Sequence, residues 1–309
     1  MAQQTTSNIL MIRPAHFGYN EETASNNSFQ TKDTNLSTTE ISQLAIQEFD
    51  AFVEKMKSKG INVIVAEDSN EPIKPDAIFP NNWVTFHEDG SVITYPMYSK
   101  IRRKERRFDI LDDLKKDFEM TATSHLEKFE SDELFLEGTG SMILDRVNKI
   151  VYACTSPRTD EQLLDIFCRM RGYRKAAFQS VDANGDDIYH TNVMMALGED
   201  FVVISIETIK DAQQKEMLLG LFEETGKAVI DINFDQILAF AGNMLQVRNE
   251  SGDTFLVMSQ QAFESLTEEQ IKKIEMRTNI LYSPIKTIET FGGGSARCMM
   301  AEVFLPKKN

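Results

Sequence analysis

Phe291-Gly292-Gly293-Gly294-Ser295-Ala296-Arg297-Cys298-Met299-Met300 sets one cysteine a few residues behind three consecutive glycines. Such a run serves neither a helix nor a plain strand; it permits φ > 0 and a close approach of backbone to a ligand. A cysteine held on that turn is a candidate nucleophile. Free cysteine is also among the residue types most often buried as packing. The stretch therefore takes its meaning from partners elsewhere in the chain.

The surrounding composition narrows those partners. The 309 residues are 41% hydrophobic, enough for a sizeable core in one large domain or two ordinary ones. A net charge of -15 opposes binding to nucleic acid or anionic lipid, both of which call for clustered positive charge. A small-molecule substrate is the expected partner, with no nucleic acid and no membrane. No run approaches the roughly 18 to 20 apolar residues of a membrane span, and the N-terminus lacks the basic and apolar regions of a signal peptide. A cytoplasmic protein is expected. Cys154, Cys168 and Cys298 are widely spaced, with no Cys-x-x-Cys pair, so neither a disulfide framework nor a metal site is expected. Cys154 and Cys168 read as packing residues.

β-Branched runs at 62–66, 83–86, 91–95, 142–145, 149–152, 193–197 and 201–205 read as strands. Turn chemistry at His87-Glu88-Asp89-Gly90 and Gly198-Glu199-Asp200 joins pairs of them into hairpins. Amphipathic stretches at about 39–59, 103–118, 159–171, 210–224 and 267–276 read as helices, the first with Ser37 or Thr38 as N-cap. The rhythm is hairpin, helix, strand, without a long linker, which indicates an α/β fold and one domain over residues 1–309. No repeat shows by residue identity, so any symmetry lies in the order of elements. The basic run 100–107 reads as a solvated helix start.

Four histidines are available to serve Cys298 as a base. His190 opens the apolar run Val193-Met194-Met195-Ala196, where a rigid edge can project it, and His16 is the second candidate. His87 falls in a polar hairpin turn and His125 in a loop. Glu137, in Leu134-Phe135-Leu136-Glu137-Gly138-Thr139-Gly140, follows an apolar run and precedes two glycines. It is the candidate orienting carboxylate, a partner that an imidazole serving a thiol requires. A strand-ending surface acid is the plainer reading of that fragment.

Six motifs occur in one order: Phe79-Pro80-Asn81-Asn82, Arg102-x-x-Glu105, Glu137-Gly138-Thr139-Gly140, Ser156-Pro157-Arg158-Thr159, His190-x-Asn192 and Gly292-Gly293-Gly294-x-x-x-Cys298. In that order they resemble the guanidine-modifying superfamily of arginine deiminases, dimethylarginine hydrolases and amidinotransferases, from about residue 11 to residue 303. The chain looks most like the amidinotransferase-related citrulline-utilisation hydrolases. The resemblance implies the pentein fold, a five-bladed α/β-propeller of pseudo-fivefold ββαβ units. It also implies a Cys298, His190 and Glu137 catalytic site with no cofactor and no metal, and Arg102 and Arg158 as carboxylate-binding arginines. A guanidinium fork suits a carboxylate through two parallel hydrogen bonds.

Arginine deiminases typically carry aspartates where this chain has Asn82 and Asn192. A guanidinium offers five donors and a charge it cannot shed, so neutral amides compensate it poorly. A ureido group is neutral and presents both an acceptor and donors, which amides match. The expected reaction is hydrolysis of citrulline or a close relative. Cys298 displaces ornithine to leave a carbamoyl thioester, which water cleaves to ammonia and carbon dioxide. An amidinotransferase or deiminase acting on a guanidino substrate such as arginine is the first alternative; a non-enzymatic pentein-fold binding protein is the second. Asn243 is a further candidate for the site, segments 13–36 and 233–245 are candidate covering loops, and a homodimer is one assembly the sequence allows.

Overall fold

The computed structural model describes residues 2–24, 27, 29–31 and 36–308. Among them, strands assemble into five three-stranded sheets. β1 (Asn8–Arg13) and β2 (Asn62–Glu67) belong to the first. β3 (Val84–Phe86), β4 (Ser91–Thr94) and β5 (Ala122–His125) form the second, and β6 (Ile143–Asp145), β7 (Ile150–Cys154) and β8 (Arg174–Phe178) the third. β9 (Met195–Leu197), β10 (Phe201–Ile204) and β11 (Ala228–Asp231) form the fourth, and β12 (Leu245–Arg248), β13 (Thr254–Ser259) and β14 (Asn279–Ser283) the fifth. β15 (Ala301–Glu302) returns to complete the first sheet, pairing antiparallel with β1 through Ile9↔Glu302 and Leu10↔Ala301.

One rule governs all five sheets. The middle strand pairs antiparallel with one neighbour and parallel with the other. A parallel pair needs a crossover, and a helix supplies it each time. Thr38–Lys57 bridges β1 to β2, Phe108–Leu114 bridges β4 to β5, Glu161–Arg171 bridges β7 to β8, and Ala212–Glu224 bridges β10 to β11. Gln260–Ser265 and Glu268–Glu275 together bridge β13 to β14. The first of these helices shows the local cause. Ser37 accepts the Glu40 N–H while Glu40 reaches back to the Ser37 N–H, and Ile41, Ala45, Phe49, Phe52, Val53 and Met56 recur at helical spacing on the buried face.

The pentein architecture of repeated ββαβ units is present, with its symmetry in element order. Several expected boundaries shift. The 103–118 stretch divides into a 3-10 turn at Arg102–Glu105 and a shorter helix at Phe108–Leu114. The basic run is not simply solvated: Arg102 is buried, while Arg103 and Arg106 pair with Glu130 and Arg107 with Asp68 and Asp109. The loop expected around His125 is instead β5, and β8, β11 and β14 add strands that the residue pattern does not announce. These are the outer strands of their sheets, half exposed, and so lack a clean alternation. β13 is central and almost wholly buried, a short apolar run that periodicity alone does not separate from a buried helix.

A short turn precedes the first strand of each sheet: Pro80–Asn82, Gly138–Ser141, Thr191–Met194, 240–243 and 296–299. Hydrogen bonds link each turn to the next. Thr139 Oγ1 donates to Asn81 O at 3.3 Å, Thr191 Oγ1 to Ser141 O at 2.5 Å, Asn243 Nδ2 to Asn192 O at 2.9 Å, and Arg297 N to Asn243 Oδ1 at 3.0 Å. The sheets thereby bring five sequence-distant turns together.

Candidate active site

Glu137 sits at the head of the Gly138–Ser141 turn and is wholly buried. Its Oε2 lies 2.7 Å from His190 Nε2, and its Oε1 accepts the Tyr98 N–H at 2.9 Å. Burial raises a carboxyl, but Arg158, the His190 hydrogen bond and Arg102 outweigh it and hold Glu137 at about 2. Arg158 Nη1 and Arg102 Nη1 stand 3.7 Å and 3.9 Å from its Oε2. His190 is pushed down to about 4 by burial, against the opposing pull of Glu137. A neutral imidazole donating from Nε2 to a carboxylate keeps a lone pair on Nδ1. Gly140 leaves room for that arrangement, since a Cβ there would lie 2.3 Å from Asn82 Nδ2 and 2.8 Å from His190 Nδ1.

Cys298 lies on the 296–299 turn, with its N–H on Ser295 O at 3.0 Å and only 4% of the residue exposed. Gly293 ends the preceding helix at φ 62, a left-handed cap that suits glycine, and its carbonyl accepts from Tyr189 and Asn27. Arg297 turns away from the cysteine; its guanidinium donates to Met300 O at 2.8 Å and meets Glu302 at 3.0 Å.

Cys298, His190, Asn82, Arg102, Arg158 and Asp76 line one small cavity. Thr23 and Asn27 of the N-terminal segment complete its wall, with Arg158 Nη2 donating to Thr23 O and Asn27 Nδ2 to Gly293 O. The covering loop expected at 13–36 is thus represented here, although 25, 26, 28 and 32–35 lie outside the described residues. The 233–245 segment is not simply a loop: Asn233 caps the helix Phe234–Leu238, and Phe240 packs against Phe29.

Asn192 and Asn243 take places different from those expected. Neither lines the cavity; the Nδ2 of each lies 3.3 Å from Cys298 Sγ. Arg102 is also more constrained than a free carboxylate clamp, because its Nε and Nη2 donate to Glu105 at 2.9 Å each. Its Nη1 is left facing Glu137, and Arg158 Nη1 faces the same carboxylate. The remaining histidines are elsewhere. His16 lines a separate pocket and His125 is exposed beside Glu127. His87 is buried rather than polar and solvated; it bonds Thr85, and burial lowers its pKa well below the usual value. No group of three or more His, Cys, Asp or Glu among the described residues is arranged to hold a metal ion, and no helix among them is long and apolar enough to cross a membrane.

Asp76 is the principal site residue that sequence reasoning missed. It is buried on the cavity wall, accepts from Asn20 Nδ2 at 2.7 Å and stands 3.7 Å from Arg102 Nε. Burial outweighs those partners and raises its pKa. Its signal was the one that marked Glu137: an acid beside an apolar run and next to a motif, here Asp76-Ala77-Ile78-Phe79-Pro80. Tyr189, stacked 4.8 Å from the Arg158 guanidinium, carried no such signal.

Five ββαβ units around a buried Cys, His and Glu cluster define the pentein class of α/β-propellers. Solved structures agree. The N-terminal domain of ArgZ, covalently bound to a reaction intermediate, matches with a TM-score of 0.75 at 16% identity, covering 97% of this chain and 98% of that domain. Full-length ArgZ, an arginine dihydrolase from the ornithine-ammonia cycle in cyanobacteria, matches over 97% of this chain at 17% identity and a TM-score of 0.75; this chain spans only 41% of it. A dimethylarginine dimethylaminohydrolase adduct with S-methyl-L-thiocitrulline matches with a TM-score of 0.65 at 13% identity, over 96% of this chain and 99% of that one. No curated protein matches the sequence. The family model for eukaryotic N,N dimethylarginine dimethylhydrolase matches residues 13–305, and the chain belongs to that family. Family membership relates it to the hydrolases of arginine metabolism, and the solved structures share its pentein fold.

Proposed function

We propose that this hydrolase cleaves the ureido group of citrulline or a close relative, with Cys298 as nucleophile, His190 as proton shuttle and Glu137 as its orienting carboxylate. The observation that carries the reading is Asn82 Nδ2, a buried donor on the cavity wall without a partner. A ureido oxygen satisfies it; a guanidinium, which has only donors, does not. Glu137 has both oxygens engaged, by Tyr98 and His190, which limits its use as a counter-ion for a cationic side chain.

The thiolate attacks the ureido carbon, and the charge that develops on the oxygen is met by Asn82 Nδ2. The thiol proton, taken up by His190, passes to the departing δ-nitrogen and releases ornithine. The S–C bond of the resulting carbamoyl thioester is then cleaved by water, which His190 deprotonates, giving carbamate and the free thiol. Carbamate breaks down to ammonia and carbon dioxide. Arg158 and the Nη1 face of Arg102 suit the α-carboxylate. The reading also takes residues 1–309 as one domain, a view supported by the pairing of β15 with β1.

A second reading, arginine as substrate, is favoured by Asp76, whose Oδ1 is buried without a partner and offers an acceptor to a cation. Incubation with citrulline, arginine, N-methylated arginines and their N-acyl derivatives separates the two, with ammonia and the amino-acid product measured. Ornithine and ammonia from citrulline are expected. Turnover of arginine with citrulline inert would replace the ureido reading, and full activity in Cys298→Ala would remove the nucleophile.

A further inference from the structure

We propose that Tyr189 is a positioning residue whose ring braces Arg158 and whose hydroxyl fixes the glycine turn behind Cys298. The inference rests on the reading of Arg158 as carboxylate binder and Cys298 as nucleophile. Tyr189 is buried and lines the cavity beside His190. Its hydroxyl donates to Gly293 O at 2.7 Å, and its ring centroid lies 4.8 Å from the Arg158 guanidinium carbon. One side chain thereby ties the substrate-holding arginine to the turn that presents the nucleophile.

The hydroxyl acts on the backbone. Gly293 stands at φ 62 just past the helix Lys286–Gly292 and is followed by another glycine, so local sterics leave this stretch wide conformational freedom. Holding the Gly293 carbonyl fixes the plane of the Gly293–Gly294 peptide. Ser295 comes next, and its carbonyl accepts the Cys298 N–H at 3.0 Å. Burial raises the pKa of the phenol, which therefore stays a donor. Asn27 Nδ2 reaches the same carbonyl at a longer 3.2 Å, but from the N-terminal segment, whereas Tyr189 adjoins His190 in the chain.

The ring acts on the guanidinium. A cation over an aromatic face is attracted by the ring quadrupole, most strongly out of water, and Arg158 and Tyr189 are both buried. The backbone keeps the pair in register: Ser156 Oγ donates to Tyr189 O at 2.8 Å and accepts the Arg158 N–H at 3.1 Å. Glu137 Oε2, 3.7 Å from Arg158 Nη1, and Thr23 O, which accepts from Nη2, meet the guanidinium at its edge. Tyr189 meets its face, a contact that uses none of the in-plane N–H donors a carboxylate needs.

Two substitutions separate these contacts: Tyr189→Phe keeps the ring and loses the hydroxyl, and Tyr189→Leu loses both. Ornithine binding is measured by calorimetry, and kcat on whichever of citrulline and arginine the wild type turns over. Tyr189→Phe is expected to bind ornithine within about twofold of the wild type while kcat falls about tenfold. Tyr189→Leu is expected to weaken ornithine binding about tenfold as well. General damage to the cavity would lower binding and turnover together in both variants, so the split in Tyr189→Phe is the decisive readout. An unchanged kcat in Tyr189→Phe, or ornithine bound by Tyr189→Leu as by the wild type, would overturn the proposal; Tyr189→Phe carries the test if Tyr189→Leu does not fold. A wild type inert toward citrulline and arginine alike would instead remove the hydrolase reading, and ornithine binding would still decide the role of the ring.

Discussion

His190 illustrates how a single residue acquires its chemistry from its surroundings. Buried beside Glu137, it is held at about 4, whereas an exposed histidine titrates near 6.5. A base that must be neutral predicts that kcat/KM keeps its value down to about pH 5 and falls as pH drops through about 4; an acid limb at 6.5 would contradict the assignment. The folded state disfavours the imidazolium, so this residue contributes stability above 6.5 that is lost as pH falls toward 4. Glu137→Gln keeps the shape but removes the anion. It is expected to lower kcat by roughly 10²- to 10⁴-fold with the circular dichroism spectrum unchanged. At this scale the sequence was informative: Cys298, His190 and Glu137 were legible because each interrupts an apolar run or a glycine turn. Asp76 offered the same signal without being read.

The elements that matter most are the short turns ahead of each sheet. Gly140 shows their tolerance, since a methyl group there meets Asn82 Nδ2 and His190 Nδ1 inside ordinary contact distance. Gly140→Ala is expected to cost about 100-fold in kcat/KM through displacement of these side chains, while thermal melting shows the fold retained. Unchanged kinetics would show that the turn adapts. The central helices and hairpins were legible from periodicity and turn chemistry. Outer strands such as β8 and β14 were not, because their register comes from the parallel neighbour and their half-exposed faces carry little alternation. The different placement of Asn192 has a similar cause. A His-x-Asn spacing says that two residues are close, but not that the second points at the cysteine sulfur.

Across the whole molecule, β15 joins the C-terminal end of the chain to the first sheet, and the residue after Ala301 holds a buried charge network there. Glu302 meets Arg297 at 3.0 Å and Arg146 at 3.7 Å, all three nearly excluded from solvent. Glu302→Gln leaves two buried guanidinium groups without their anion and is expected to cost about 3 kcal/mol, read as a lower urea midpoint with an unchanged slope. A variant as stable as the wild type would show that water or backbone carbonyls suffice for those arginines. The amino-acid sequence by itself determined the α/β rhythm, the order of the motifs and which cysteine and histidine are candidates for nucleophile and base, because these are local patterns of polarity, glycine and charge. Only the tertiary structure decided that two asparagines face the sulfur, that Asp76 and the N-terminal segment wall the cavity, and that Arg102 is already clamped by Glu105. Those facts depend on how five turns, distant along the chain, meet when the last strand pairs with the first.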